Sequence, residues 1–314
     1  MATEGSQLEV SCQLGVPILR LLADGPTVQI LQELTDNPLR PNELEQRLPD
    51  VPHSALMRRL AELAHKEAIT HERIRGLPPR AYYSLADAGR ALLLISEASE
   101  RWERQWSSQA RRGAPGTLAL RLLADERARA IMRALADEPL RPLDLEHLPG
   151  VGRSATRRRL GPLVLGGILM RTHEDGQVRY ALTPGARRLG LVKMLAARWE
   201  WQWARPDYPL PAWDLPGQLR LLAPVTPVPN SLAGVCRVHI DSHGTHQTVD
   251  LAARGGKLAA LPFTPQHPPH AAGHAPAHVW CDALLCRQLA GITTTGNWML
   301  MADVLSSVSA VLAP

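Results

Sequence analysis

DVPHSALMRRLAELAHK, residues 50–66, is the stretch whose reading decides the fold. Leu56, Leu60 and Leu63 recur at i, i+4 and i+7, the spacing of one buried helical face. The other face carries Ser54, Met57, Arg58 and Ala61, a small, polar and basic surface. Such a helix fits a major groove, where arginine reads guanine and N-terminal amides hold phosphate. An ordinary amphipathic helix with a solvated basic face would carry the same residues, so the flanking pattern has to decide.

The stretch occurs twice. PGVGRSATRRRLGPLVLGG, residues 149–167, repeats Ser54-Ala55 as Ser154-Ala155 and Arg58-Arg59-Leu60 as Arg158-Arg159-Leu160. Upstream, LRLLAD at 19–24 returns at 120–125, and PLRP at 38–41 returns at 139–142. Downstream, Tyr83 matches Tyr180, and Trp102 and Trp106 match Trp199 and Trp203. The offset falls from 101 to 100 and then to 97, which places the length changes in a turn and in a hairpin. Two tandem units follow, 12–107 and 114–205.

Each unit reads alike. Helices are expected at 16–23, 27–34 and 41–48 in the first, and at 117–124, 126–136 and 142–148 in the second. Pro38 and Pro139 follow the ends of the second helices, and Pro41 and Pro142 open the third. The basic helix comes next. Two strands follow (69–74 and 80–85; 168–173 and 177–182), with Glu174-Asp175-Gly176 as a tight turn. A long helix closes each unit, 86–107 and 184–204. This order is that of a winged helix. The hairpin tips are basic, with His71, Arg73, Arg75 and Arg80 in one unit and Arg171, His173 and Arg179 in the other. The expected fold is therefore mainly α with small β wings, two tandem winged-helix domains, plus a C-terminal α+β domain. The expected DNA-binding residues are Ser54, Met57, Arg58, Arg59, Arg73, Arg75, Arg80, Arg153, Ser154, Thr156, Arg157, Arg158, Arg159, Arg171 and Arg179.

Residues 56–90 resemble the HxlR family of bacterial winged-helix regulators. The likeness rests on the leucine-rich basic helix, Pro78-Pro79-Arg80 in the wing, Tyr83-Ser84-Leu85, and Gly89-Arg90 at the start of the long helix. The second unit keeps Tyr180-Ala181-Leu182 and Arg187 but lacks Pro-Pro-Arg. The tryptophan of the family's second helix is missing from both, where Val28 and Ala128 lie nearby. The resemblance implies a cytoplasmic, dimeric transcription factor responding to small molecules or redox stress. It also places Cys12 where family members often carry a regulatory cysteine, although Glu4 and Glu9 beside it would raise a thiol pKa.

Trp102 and Trp106, like Trp199 and Trp203, lie four apart on one helical face. They are expected to form a hydrophobic seam at an interface rather than a ligand box. In the family the long helix lies at the dimer interface, so two copies in one chain imply an internal seam, a monomeric pseudo-dimer, with a homodimer as the rival.

Beyond 205 the composition changes. A Pro-rich connector is expected at 206–230 and an α+β ligand-binding domain at 231–314. Its strands are read at 235–240, 246–251 and 277–280, and its helices at 281–289 and 297–312. The ending resembles the sterol-carrier-like domains appended to some such regulators, which implies a pocket for a small apolar ligand. His267, His270, His274 and His278 suggest metal binding, but prolines 265, 268, 269 and 276 forbid the helix that would gather them. The expectation is a flexible His-rich loop with no metal and no cofactor.

Composition agrees with this reading. The chain of 314 residues carries a formal charge of +5 and is 45% hydrophobic, so it forms cores and tolerates a polyanionic partner. No secretion signal, no run of about 18 apolar residues and no paired CxxC framework is seen, which points to the cytoplasm and away from a membrane. No phosphate loop, HExxH or nucleophile elbow argues for an enzyme. The expected function is a transcriptional regulator that binds double-stranded DNA. The alternative is an interaction or ligand-carrier protein on winged-helix scaffolds.

Overall fold

The computed structural model describes residues 14–74, 80–107, 117–174, 176–203, 213–242, 244–265 and 267–312. Cys12, Arg75, the Pro78-Pro79 pair and the segment 108–116 lie outside them, and the Arg80 side chain is likewise not described.

The first unit runs α1 (Val16–Leu22), α2 (Gly25–Glu33), α3 (Pro41–Arg47), α4 (His53–His65), β1 (Ile69–Ile74), β2 (Arg80–Leu85) and α5 (Asp87–Trp106). Leu56, Leu60 and Leu63 of α4 are fully buried, as their spacing predicts. Pro41 occupies the first turn of α3, where its missing N–H costs nothing, and Glu43 Oε2 accepts the Arg40 N–H at 2.7 Å. β1 and β2 pair antiparallel from Ile69↔Leu85 to Ile74↔Arg80. Leu39 and Tyr83 exchange backbone hydrogen bonds at 3.0 and 2.8 Å, tying the hairpin to the segment before α3.

The element order then recurs: α6 (Thr117–Ala124), α7 (Glu126–Ala134), α8 (Pro142–Glu146), α9 (Arg153–Leu165), β3 (Leu169–Glu174), β4 (Gln177–Leu182), α10 (Pro184–Arg188) and α11 (Gly190–Trp203). Leu140 and Tyr180 exchange the same pair of hydrogen bonds, at 3.0 and 2.8 Å. The helix expected over 184–204 breaks at Leu189 into α10 and α11. One continuous core runs from Ile18 to Leu221 and includes Trp102 and Trp199. α1 packs on α6, and α5 packs on both α6 and α11.

The remainder holds α12 (Leu215–Leu222), β5 (Gly234–Ser242), β6 (Thr245–Arg254), β7 (Lys257–Leu261), β8 (Ala271–Pro276), α13 (Ala277–Cys286), β9 (Thr293–Gly296) and α14 (Trp298–Leu312). The strands form one sheet in the order β7-β6-β5-β8-β9, with β5 and β8 parallel. Its apolar face carries Cys236, Val238, Ile240, Val249 and Leu251, all fully buried in a second core with α12, α13, α14 and Met194 of α11.

Several expectations for this part change. The connector contains α12, whose Leu215, Leu219 and Leu222 form a buried face that Pro216 in its first turn does not disturb. The strand expected at 277–280 is the first turn of α13, where Ala277 and Trp280 point into the second core. The His-rich loop is partly regular: His274 sits on β8 and His278 on α13. Prolines are tolerated because Pro276 ends the strand and caps the helix instead of interrupting either. Among the described residues no helix is long and apolar enough to cross a membrane.

Candidate nucleic-acid interface

The exposed faces of α4 and α9 sort the expected residues into three groups. Ser54, Arg58, Ser154 and Arg158 are exposed, and Met57 is half-buried. The Arg158 side chain reaches back only to the Ser154 carbonyl, at 3.3 Å. These are the groups free to meet a nucleic acid.

Arg59 and Arg159 form the second group and turn inward. Arg59 pairs with Asp24 and with Glu62 of its own helix. Arg159 pairs with Asp125 at 2.8 Å. The acids belong to the repeated LRLLAD segments, so the same bond anchors α4 on the loop after α1 and α9 on the loop after α6. Asp125 also accepts the N–H groups of Arg127 and Ala128, capping α7. Burial works to raise its carboxyl pKa, but the Arg159 bond and the two amides outweigh it, so the pKa lies below its ordinary value. An arginine so bound is an anchor more than a reader of DNA.

The third group is peculiar to α9. Arg153 and Arg157 each hold Glu146 at 2.8 Å, on a carboxylate whose side chain is only 4% exposed. The Arg157 and Arg153 hydrogen bonds hold the Glu146 pKa below its usual range despite desolvation. The arginine side chains stay two-thirds exposed, so their outer N–H groups still face solvent. Thr156 is a correction. It is fully buried, and its hydroxyl is hydrogen-bonded to the carbonyls of Leu145 and Gly152. It stands two residues from Ser154, about 200° around the helix, and so faces the core.

The wings divide similarly. His71 and Arg73 on β1 are exposed, and His71 stacks on Tyr83 at 6.0 Å between ring centroids. Arg171 is exposed and lies 5.8 Å over the Tyr180 ring. Arg179 bends to the Pro139 carbonyl at 3.2 Å and to Glu174 at 3.4 Å, which makes it a brace between hairpin and core.

Two cations missed in the sequence reading complete the surface. Arg20 and Arg121, equivalent in the repeated LRLLAD, are exposed and line one open cleft together with Asp24, Asp125, Arg127 and Arg159. The cleft therefore joins the two places where α4 and α9 are anchored. The signal was present, since Arg and Asp both recur inside LRLLAD, but only tertiary packing brings the copies together.

The tryptophans lie on α5 and α11. Trp102 and Trp199 are buried at 5% and 4% exposure, and Trp106 and Trp203 are partly buried. Trp106 covers Gly185, where a Cβ would come within 2.7 Å of the ring, and Trp203 lies beside Ala64, Ile69 and Ala88 of the first unit.

Comparison with known proteins places this geometry. The HxlR-like helix-turn-helix family matches residues 21–111. An uncharacterized HTH-type transcriptional regulator of Methanothermobacter thermautotrophicus is 32% identical over 79 residues, which are 25% of this chain and 60% of that protein. No solved structure matches. Residues 21–111 are thus similar to an HxlR-like helix-turn-helix domain, and the α4 helix that opens at His53 lies inside the matched span.

Proposed function

We propose that the whole chain is a DNA-binding transcriptional regulator in which both repeated units are winged helices and act as an intrachain pseudo-dimer. One observation carries this. Two equivalent exposed helix starts, Ser54/Arg58 and Ser154/Arg158, are anchored by equivalent Arg–Asp bonds around one shared cleft. Units 14–107 and 117–203 would each offer a recognition helix to successive major grooves, with Arg20 and Arg121 over the phosphates between them. Met57 in one helix and Arg157 in the other make the preferred site an imperfect palindrome. Arg153 and Arg157 would add phosphate contacts through their solvent-facing N–H groups. The part beyond 213 would be a ligand-responsive α+β domain. A cleft of about 220 Å³ where α11 meets α13, lined by Trp201, Trp213, His278 and Arg198, would receive a small, largely apolar ligand. Trp201 stacks on His278 at 5.0 Å there, and Arg198 pairs with Asp282 at 2.8 Å.

The experiment is selection of bound fragments from genomic DNA, followed by light scattering of the free protein and of its complex. One chain on two half-sites about one helical turn apart is the expected result. A stable two-chain complex spanning four half-sites would overturn the pseudo-dimer. Binding independent of salt would overturn the DNA reading itself.

A further inference from the structure

The apolar face of the five-stranded sheet is covered by helices, whereas its polar face carries chemistry that the regulator reading does not use. Residues Arg237, His239 and Asp241 alternate along β5. Across from them stand Asp250, Thr248 and His246 of β6, and His274 of β8 lies beside His239 in the parallel pairing. Asp241 Oδ1 lies 2.8 Å from His246 Nδ1, and Asp241 Oδ2 lies 2.6 Å from His274 Nε2. One ligand atom from each of these three residues lies within 4.8 Å of the others. All three side chains are about half exposed, so an ion in solution has free access.

We propose that Asp241, His246 and His274 form a site for a divalent first-row transition ion, zinc in chemical type. Two imidazole nitrogens and one carboxylate oxygen are its preferred donors, and three protein ligands leave one position open for water. Tetrahedral bonds of about 2.0–2.1 Å put ligand atoms roughly 3.3 Å apart. The present separations of 2.8 and 2.6 Å are hydrogen bonds to the two oxygens of the Asp241 carboxylate, so an ion entering the cluster displaces the shared protons and draws the three ligands to one common spacing.

His239 positions the cluster. Its Nδ1 lies 3.3 Å from His246 Nε2, the ring nitrogen that faces away from Asp241. With the ion on Nδ1, His246 carries its proton on Nε2 and donates it to His239, which fixes tautomer and ring orientation. Arg237 is kept out of the cluster by its two-pronged bond to Asp250, at 2.8 Å for each prong. A bound ion would tie the β5–β6 hairpin to β8.

The test uses the full chain, stripped with a chelator and titrated with Zn²⁺ by calorimetry near neutral pH. One ion should bind per chain, with a rise in the melting temperature. His246→Ala and His274→Ala should each weaken binding by at least tenfold, and His239→Gln by about tenfold. Co²⁺ should give the intense visible absorption of a tetrahedral centre, lost in Asp241→Asn. All four positions are on an open sheet face, and unchanged far-ultraviolet dichroism will show that the variants fold. Binding that survives both histidine substitutions, or is removed by substituting His267 and His270 instead, would overturn the proposal. So would the absence of any binding at micromolar Zn²⁺. DNA binding by the same samples is scored separately, so failure of the metal site leaves the regulator reading untouched.

Discussion

Trp102 and Trp199 make the same hydrogen bond in opposite directions across the seam between the two units. The Trp102 indole donates to the Gly185 carbonyl at 2.6 Å, and the Trp199 indole donates to the Ala88 carbonyl at 2.7 Å. Donors and acceptors are both 97 residues apart, so α5 grips the start of α10 and α11 grips the start of α5. The buried acids one position on are used in parallel fashion. Glu103 accepts the Ala119 N–H at 2.8 Å at the start of α6, and Glu200 accepts the Gly15 N–H at 2.6 Å at the start of α1.

Replacing either tryptophan with phenylalanine keeps most of the ring and removes the donor, so a buried carbonyl loses that hydrogen bond and the smaller ring leaves a gap in the seam. Trp102→Phe and Trp199→Phe should each cost about 1–3 kcal/mol in urea denaturation. The double variant should lose more than either single change. Stability equal to the parent chain in both single variants would mean that the seam does not depend on these bonds.

The arginine pairs predict separable effects. Arg58→Ala and Arg158→Ala should weaken DNA binding and lower its salt slope by about one per lost phosphate contact, with little change in stability. Arg159→Ala should instead strip Asp125 of its partner and lower the melting temperature. Arg20→Ala with Arg121→Ala should also reduce the salt slope. Fluorescence anisotropy over a salt series, beside thermal melts of the same samples, separates the classes. The idea fails if Arg58→Ala and Arg159→Ala behave alike in both measurements.

Gly89 stands where α5 starts against the turn before β1. A Cβ there would lie 2.2 Å from the Ala68 carbonyl oxygen and 2.5 Å from a Leu85 methyl. Alanine is the better helix former by up to about 1 kcal/mol, yet overpacking against backbone costs about 1–3 kcal/mol or more. Gly89→Ala should therefore destabilise the chain, as seen in a lower denaturation midpoint. A neutral or stabilising effect would show that α5 can shift freely.

Glu200 supplies a pH dependence. Desolvation raises its carboxyl pKa to about 7, against the Gly15 and Ile18 amides and Lys66, which favour the charge. The folded state thus binds its proton more tightly than the unfolded chain. Stability from this group is full below about pH 4.5 and is lost as the pH rises to about 7, a change of roughly 3 kcal/mol. Glu200→Gln should remove that slope from the stability curve. An identical curve for both proteins between these limits would refute the assignment.

Much of the helical part was legible in the sequence because its cues are local. Leucine spacing set the buried face of α4, Pro41 and Pro142 set helix starts, and the drift in the repeat offset marked a turn and a hairpin. The strand bounds 69–74 and 80–85 agree for the same reason, since alternation and turn residues act over a few positions. Thr156 escaped because the exposed face of α9 was read from residue types and not from angle, and its hydroxyl finds carbonyls that only packing supplies.

What the sequence by itself determined was the repeat, the helix–hairpin order and the basic helix starts. Tertiary structure decided which arginines remain outward, because Asp24 and Asp125 are 35 and 34 residues from the arginines they bind, and Glu146 meets Arg153 and Arg157 only through the packing of α8 against α9. It also decided the fate of the histidines. His246 and His274 are 28 residues apart, and His274 lies among prolines that bar a helix, so no helical spacing could link them. The parallel pairing of β5 with β8 does so, because neighbouring strands lie about 5 Å apart and bring one side chain from each to the same face.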